Sequence, residues 1–339
     1  MKFKPKAVFL PPLFLFLIFS LVSCANINLS LFPSAKPLKE RLIEGEGRPK
    51  ILLLDLDGVI SFGEKKMFLG VGAPSPVEYF REALRKAGQD KDIAGVIVRI
   101  NSPGGGVTAS DAIYHEIENF KRIRKIPVYA YIMDVGASGG YYVASAADRI
   151  IASPTALTGS IGVIAMKLNV EGLMSKVGVR AETYKSGPVK DFWSPFRPST
   201  PREKAMLQGI IEDLYGRFTN AVYQNRRKVL SRPQVLALAD GRVFTADQAL
   251  KEKLIDREAY LDETIAGMKK DLKIEKARVV TYARPGQFKP TIYSEAPSGG
   301  KASAGYLSGT AELGVNINLI SIGGFSPEPG VSFLYLWNP

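Results

Sequence analysis

The sequence predicts an α/β fold on a largely parallel sheet, because buried-type strands and amphipathic helices alternate over residues 75–147. Ser75-Pro76-Val77-Glu78 is a capping box with proline at the first helical position, and Val77, Phe80, Leu84 and Ala87 mark one face before Gly88. Ile93 to Ile100 reads as a buried strand, Ser110 to Arg122 as a helix, and Pro127 to Met133 as a second strand leading to a helix over Tyr141 to Ala147. Helical crossovers of this length join parallel strands, and sites in such folds sit at the strands' carboxyl ends.

The remaining elements follow the same signals. Ile51 to Ile60 is an apolar strand, and Arg278 to Tyr282 reads as a last one. Thr200-Pro201-Arg202-Glu203 caps a long helix with Leu207, Ile211, Leu214, Phe218 and Val222 on one face, suited to core and subunit contact. Thr245-Ala246-Asp247-Gln248 caps a shorter helix, and Asp262 is the expected cap of the next. Four segments result: a signal peptide over 1–23, a tether over 24–48, the main domain over 49–283, and a Pro/Gly/Ser-rich tail over 284–339 ending in an apolar strand.

The ends of the chain point outside the cytoplasm. Lys2, Lys4 and Lys6 precede an apolar run from Val8 to Val22, shorter than the ~20 residues of a spanning helix but right for a secretory signal. It closes on Leu21-Val22-Ser23-Cys24, which resembles a bacterial lipobox, so Cys24 is the expected lipidation site; an uncleaved anchor is the other reading. Loss of those three lysines takes the formal charge from +12 to +9, which suits a protein lying on anionic lipid. Export argues against nucleic acid as the partner of a basic chain. At the other end, Val331 to Trp337 is apolar and aromatic behind Pro327 and Pro329, so it calls for burial as a strand on a sheet edge. Two placements compete: a structural strand on the core or the next subunit, and an occupant of a substrate groove.

Composition narrows the chemistry. The chain has 339 residues with one cysteine and one histidine, so an internal disulfide is impossible and a zinc site, which needs three protein ligands, is not expected; neither is any other metal or cofactor. A Ser-His-Asp triad would need His115, which reads as a surface residue of a helix whose apolar face is Ile113, Ile117 and Phe120.

Ser138, in Asp134-Val135-Gly136-Ala137-Ser138-Gly139-Gly140-Tyr141-Tyr142, has the setting of a nucleophile. A serine at a strand-to-helix turn is presented outward, and the helix N-terminus favours the negative charge of an oxyanion. Its base would be a lysine or a carboxylate. Asn101-Ser102-Pro103-Gly104-Gly105-Gly106 follows a strand but lacks the Gly-Lys-Ser/Thr of a nucleotide loop, leaving an oxyanion donor and an open edge for an extended peptide, or a flexible loop. Asp55-Leu56-Asp57-Gly58 is a rival motif, similar to that of haloacid-dehalogenase-type phosphatases, but no later acidic pair completes its magnesium site.

Taken together in order, Asn101 to Gly106, Ala137 to Tyr142, Thr158-Gly159-Ser160-Ile161-Gly162-Val163, Lys185-Ser186-Gly187-Pro188-Val189-Lys190-Asp191 and Ala239-Asp240-Gly241-Arg242-Val243-Phe244-Thr245 resemble the signal peptide peptidase A family of membrane-bound serine peptidases. The match runs from about Pro49 to Tyr282 and is to the short, one-copy form. The resemblance implies a crotonase/Clp-protease-like fold of repeated ββα-type units and bowl-shaped homo-oligomers in which neighbouring subunits share dyads. It implies Ser138 as nucleophile, Lys190 as general base, Ser160 as the hydroxyl orienting the lysine, and the Gly105 and Gly139 N–H groups as the oxyanion hole. The substrates implied are peptides, signal-peptide remnants above all. A free lysine has a pKa of about 10.4, so a lysine base has to be neutralised by its surroundings, and the carboxylate of Asp191 has to point away from Lys190. A non-catalytic peptide-binding or scaffolding lipoprotein is the alternative, but it has no chemical need for Ser138, Lys190 and Ser160 together.

Overall fold

The computed structural model describes residues 37–63, 74–285, 290–294 and 333–337. The expected signal peptide and Cys24 lie outside them.

The first strand corrects a boundary. β1, Lys39–Gly45, pairs antiparallel with the strand near the end of the domain, so the second half of the segment read as a tether belongs to the sheet. Its sequence, KERLIEG, is charged because it is a mostly exposed edge strand. β2, Lys50–Asp57, is apolar on both faces because it lies inside the sheet. Its side chains alternate between two cores, Leu52, Leu54 and Leu56 on one side and Ile51 and Leu53 on the other.

From there strand and helix alternate as expected. Helix α1, Pro76–Gln89, has the capping box between Ser75 and Glu78 and buries Phe80, Ala83, Leu84 and Ala87. β3, Ile93–Ser102, runs into β4, Gly104–Gly106, and then helix α2, Val107–Arg124. That helix starts three residues before the expected Ser110, with Gly106 as a cap that supplies no side-chain hydrogen bond. β5, Val128–Ala137, extends beyond Met133 to Ser138, and the short α3, Gly139–Ala144, begins on the next residue.

β6, Arg149–Ala152, β7, Leu157–Gly159, and β8, Ile164–Ala165, lead through α4, Glu171–Lys176, to the long α5, Pro201–Arg226. Only the second half of α5 enters the core, through Phe218, Ala221 and Val222; Met206 and Ile210 in its first half are exposed. α6, Arg232–Leu238, β9, Val243–Thr245, α7, Ala246–Lys251, and β10, Arg257–Glu258, follow. α8, Leu261–Leu272, is capped at Tyr260 rather than Asp262, which sits in the first turn where the helix dipole favours a carboxylate. β11, Arg278–Ala283, completes the main sheet, and β12, Phe333–Leu336, is the strand expected at the end of the tail.

The main sheet has the order β1-β11-β2-β3-β5-β6-β10, with β7 continuing alongside the far end of β5 and β9 beside β7. Its pairs are parallel apart from β1 with β11 and β7 with β9, which is the largely parallel α/β arrangement expected. A second, three-stranded sheet has β12 between β4 and β8.

The Asp-x-Asp-Gly stretch has a structural role. Asp55 is buried and bound by Arg99, whose Nε donates to Oδ1 at 2.7 Å, while the guanidinium also donates to the Ile292 and Ser294 carbonyls. A carboxylate fixed in this way is not presented to a phosphate. His115 is exposed on α2, as read from the sequence.

Candidate active site

The carboxyl ends of β3 and β5 deliver two backbone turns to the same place. The Ser102 hydroxyl fixes the first, donating to the Gly58 carbonyl at 2.6 Å and accepting from the Gly104 N–H at 3.1 Å. β4 then bridges in parallel to Ile60: the Ile60 N–H donates to the Gly104 carbonyl and the Gly106 N–H to the Ile60 carbonyl, both at 2.9 Å. Those two bonds leave the Gly105 N–H on the other side of the strand, facing β12. Glycine is required at 105 because a Cβ there would overlap the Ile60 backbone.

Ser138 forms the second turn, with φ 52° and ψ −115°, a conformation that costs a non-glycine residue on the order of 1–3 kcal/mol. The strain is held by hydrogen bonds on both sides of the residue: its N–H donates to the Gly159 carbonyl and its carbonyl accepts from the Tyr142 N–H, both at 2.8 Å. The side chain makes no capping hydrogen bond, and Ser138 is 1% exposed. Gly139, at the first position of α3, adjoins Gly104: a Cβ built on Gly104 would lie 2.7 Å from the Gly139 nitrogen.

Ser160 follows the glycine that binds the Ser138 N–H. It too has a positive φ, 50°, and is held by its N–H donating to the Arg242 carbonyl at 2.7 Å. The structure thus brings Ser138, Gly139, Gly105 and Ser160 onto neighbouring turns.

Lys190 stands apart from them. It is exposed in the turn-rich stretch between α4 and α5, and among the described residues it makes no side-chain hydrogen bond or ion pair, with Ser138 or any other group. Its neighbour Asp191 faces away, as a lysine base would require. Arg197 donates to both Asp191 carboxylate oxygens at 2.8 and 2.9 Å, and Lys185 adds a 2.6 Å ion pair. The Arg197 and Lys185 hydrogen bonds hold the Asp191 carboxyl far below the usual carboxylate range. Arg197 also binds the buried Glu203 carboxylate, and chiefly through that bond brings its pKa down to about 2. The Arg197 clamp was not legible in the sequence, since an arginine six residues after an aspartate carries no signal of its own.

The aromatic lining of the site was only partly legible. Tyr142, within the serine motif, donates to Asp111 at 2.6 Å, and its ring packs on Tyr114 and Phe218 at 5.1 Å. Asp111 is also gripped by Arg217 through two bonds, which ties α5 to α2 beside the serine turn.

The chain is similar in sequence to known proteins. The sequence profile of peptidase family S49 matches residues 120–275, and that of Clp protease matches residues 81–158. A protein of Enterococcus faecium assigned as signal peptide peptidase SppA is 36% identical over 262 residues, 76% of this chain and 74% of its own. A Synechocystis protein assigned as protease slr0021 is 38% identical over 67% of this chain and 78% of its own. Protease 4 of Haemophilus influenzae is 34% identical over 67% of this chain but only 36% of its own.

Proposed function

This chain belongs to peptidase family S49 and is a serine peptidase with a Clp-protease-like α/β fold, and we propose that it is an extracytoplasmic, membrane-anchored endopeptidase using Ser138 and Lys190. Its substrates in this reading are cleaved signal peptides and other peptides at the membrane surface. The observation that carries it is the strained Ser138 turn beside Gly105, whose N–H faces a groove that holds an extended strand.

In the reaction, the neutral Lys190 amine takes the Ser138 proton as Oγ attacks the peptide carbonyl. The Gly105 and Gly139 N–H groups stabilise the oxyanion, the lysine returns the proton to the leaving amine, and water clears the acyl-enzyme. Ser160 orients the lysine. The lipid on Cys24 supplies the anchor; no helix among the described residues is long and apolar enough to cross a membrane. The lysine side chain reaches the serine of a neighbouring subunit in a homo-oligomer, which accounts for its isolation within one chain.

Labelling with a serine-reactive fluorophosphonate tests the nucleophile. The wild-type protein takes up the probe and Ser138→Ala does not; equal labelling of the two overturns the assignment.

A further inference from the structure

A single peptide group sets the direction of the Gly105 N–H. The peptide between Gly104 and Gly105 is trans, so its carbonyl and its N–H point opposite ways, and the carbonyl accepts from the Ile60 N–H at 2.9 Å. With that bond made, the Gly105 N–H looks into the groove. Turned over, the same peptide would present a carbonyl oxygen there, which repels an oxyanion. Glycine on both sides of the bond leaves such a turnover sterically open, and Gly104 already stands at φ 103°. A turn of this composition needs something outside itself to select one of the two orientations.

The exit of β2 supplies that hold, through the end of the Asp-x-Asp-Gly stretch. The Gly58 N–H donates to the Asn101 carbonyl, the Ile60 N–H to the Gly104 carbonyl and the Gly106 N–H to the Ile60 carbonyl, each at 2.9 Å. The Ser102 side chain joins them. Its hydroxyl donates to the Gly58 carbonyl at 2.6 Å and accepts from the Gly104 N–H at 3.1 Å, so it ties the peptide just before the Gly104–Gly105 bond to the β2 exit. Ser102 is fully buried, so without the hydroxyl the Gly104 N–H has no water to turn to and is left costly in this orientation. Gly58, at φ 70°, presents the other partner from a turn that a residue with a side chain adopts only with strain.

We propose that Ser102 is a positioning residue for catalysis, whose hydroxyl, bonded to Gly58 and Gly104, keeps the Gly104–Gly105 peptide turned so that the Gly105 N–H meets the oxyanion. This rests on the peptidase reading of Ser138. Ser102 acts through Gly104 and not on the substrate, so its influence is felt where negative charge develops, in the transition state, and neither in substrate binding nor in the base. Complete loss of one oxyanion donor lowers kcat about 10²- to 10³-fold. Ser102→Ala keeps the Ile60 bond and only weakens the hold, so a loss of about 10- to 100-fold is expected.

Hydrolysis of fluorescein-labelled casein by the full chain, with active serines counted by fluorophosphonate titration, is the test. Ser102→Ala reaches the same labelled endpoint as the wild type per folded molecule, but labels more slowly. Its kcat per titrated serine falls about tenfold or more, KM stays within about twofold, and the midpoint of the pH–rate profile does not move. Counting per titrated serine removes molecules that fail to fold. An unchanged kcat per titrated serine would therefore make the role of Ser102 structural only and overturn the proposal. So would a loss carried by KM, or a displaced pH midpoint, which would place the effect on the base. Gly58→Ala disturbs the same hydroxyl bond from its other end and serves where Ser102→Ala does not fold: kcat per titrated serine falls about threefold or more at constant KM, and no fall overturns the proposal. Absence of labelling in the wild type sinks the peptidase reading itself, and this inference with it.

Discussion

A lysine can accept a proton only when neutral, and an arginine stays charged across the working range of enzymes. If Lys190 is the base, peptidase activity rises with pH and Lys190→Arg is inert in a folded protein; an active arginine variant, or a rate flat from mild acid upward, removes Lys190 from the mechanism. The adjoining carboxylate makes a second expectation. Asp191 is directed at Arg197 and Lys185, and Arg197→Ala frees part of that carboxylate beside the Lys190 ammonium, which it would stabilise in the charged form. The variant should therefore have its pH–rate profile displaced to higher pH, with activity regained in alkali. A uniform loss at every pH would show that Arg197 matters only for folding. Ser138 could be picked out from the sequence because its glycine neighbours and the turn between strand and helix are local features. Lys190 could be named only through motif context, since nothing within a few residues of it determines what it meets.

At the scale of elements, the stretch from Lys185 to the start of α5 is held by carboxylates whose pKa values are lowered in the folded chain. Their contribution is present above the ordinary carboxylate range of about 4 and fades as pH falls through the folded values, about 2 for Glu203. Proteolysis within 185–200 should accelerate only below about pH 4. β12 makes the other prediction of this scale. The β4 edge is braced by Ile60 without any help from β12, so deleting everything after Ser326 should leave the fold in place. The loss of one buried tyrosine, about 1.5–3 kcal/mol, lowers the melting temperature by several degrees, and short peptides turn over faster because the groove is open. Unfolding, or lost assembly, would instead make the strand structural. The helices with capping boxes were legible to the residue, as at Ser75 and Thr200, because a cap is a bond between near neighbours. β1 was missed because KERLIEG owes its strand to pairing with β11, more than 200 residues away. The partners of β12 were likewise beyond local pattern, although its apolar character already demanded an edge.

Across the whole molecule, the segment from β8 to the start of α5 is the part least explained by the chain on its own. Ile164, Met166, Leu168, Leu173, Val177 and Val179 are all exposed there, and the same stretch carries Lys190. Scattered apolar side chains on a surface need no explanation, but a contiguous run in the same stretch as the lysine proposed as the base points to a covering partner. A second copy of the chain meets both needs at once, because a closed ring would bury the apolar residues of each subunit and bring its lysine to the next subunit's serine. The consequence can be measured by mixing Ser138→Ala with Lys190→Ala, each inactive alone. In a mixed ring some interfaces join an intact Ser138 from one variant to an intact Lys190 from the other. If the two variants distribute at random, about a quarter of the interfaces have both groups intact, and activity should recover toward that fraction as subunits exchange. Exchange is followed separately by native mass spectrometry of differently tagged chains. Full mixing without any recovery would place the base of Ser138 within its own subunit, and the Lys190 segment would then have to fold inward against the serine turn before catalysis.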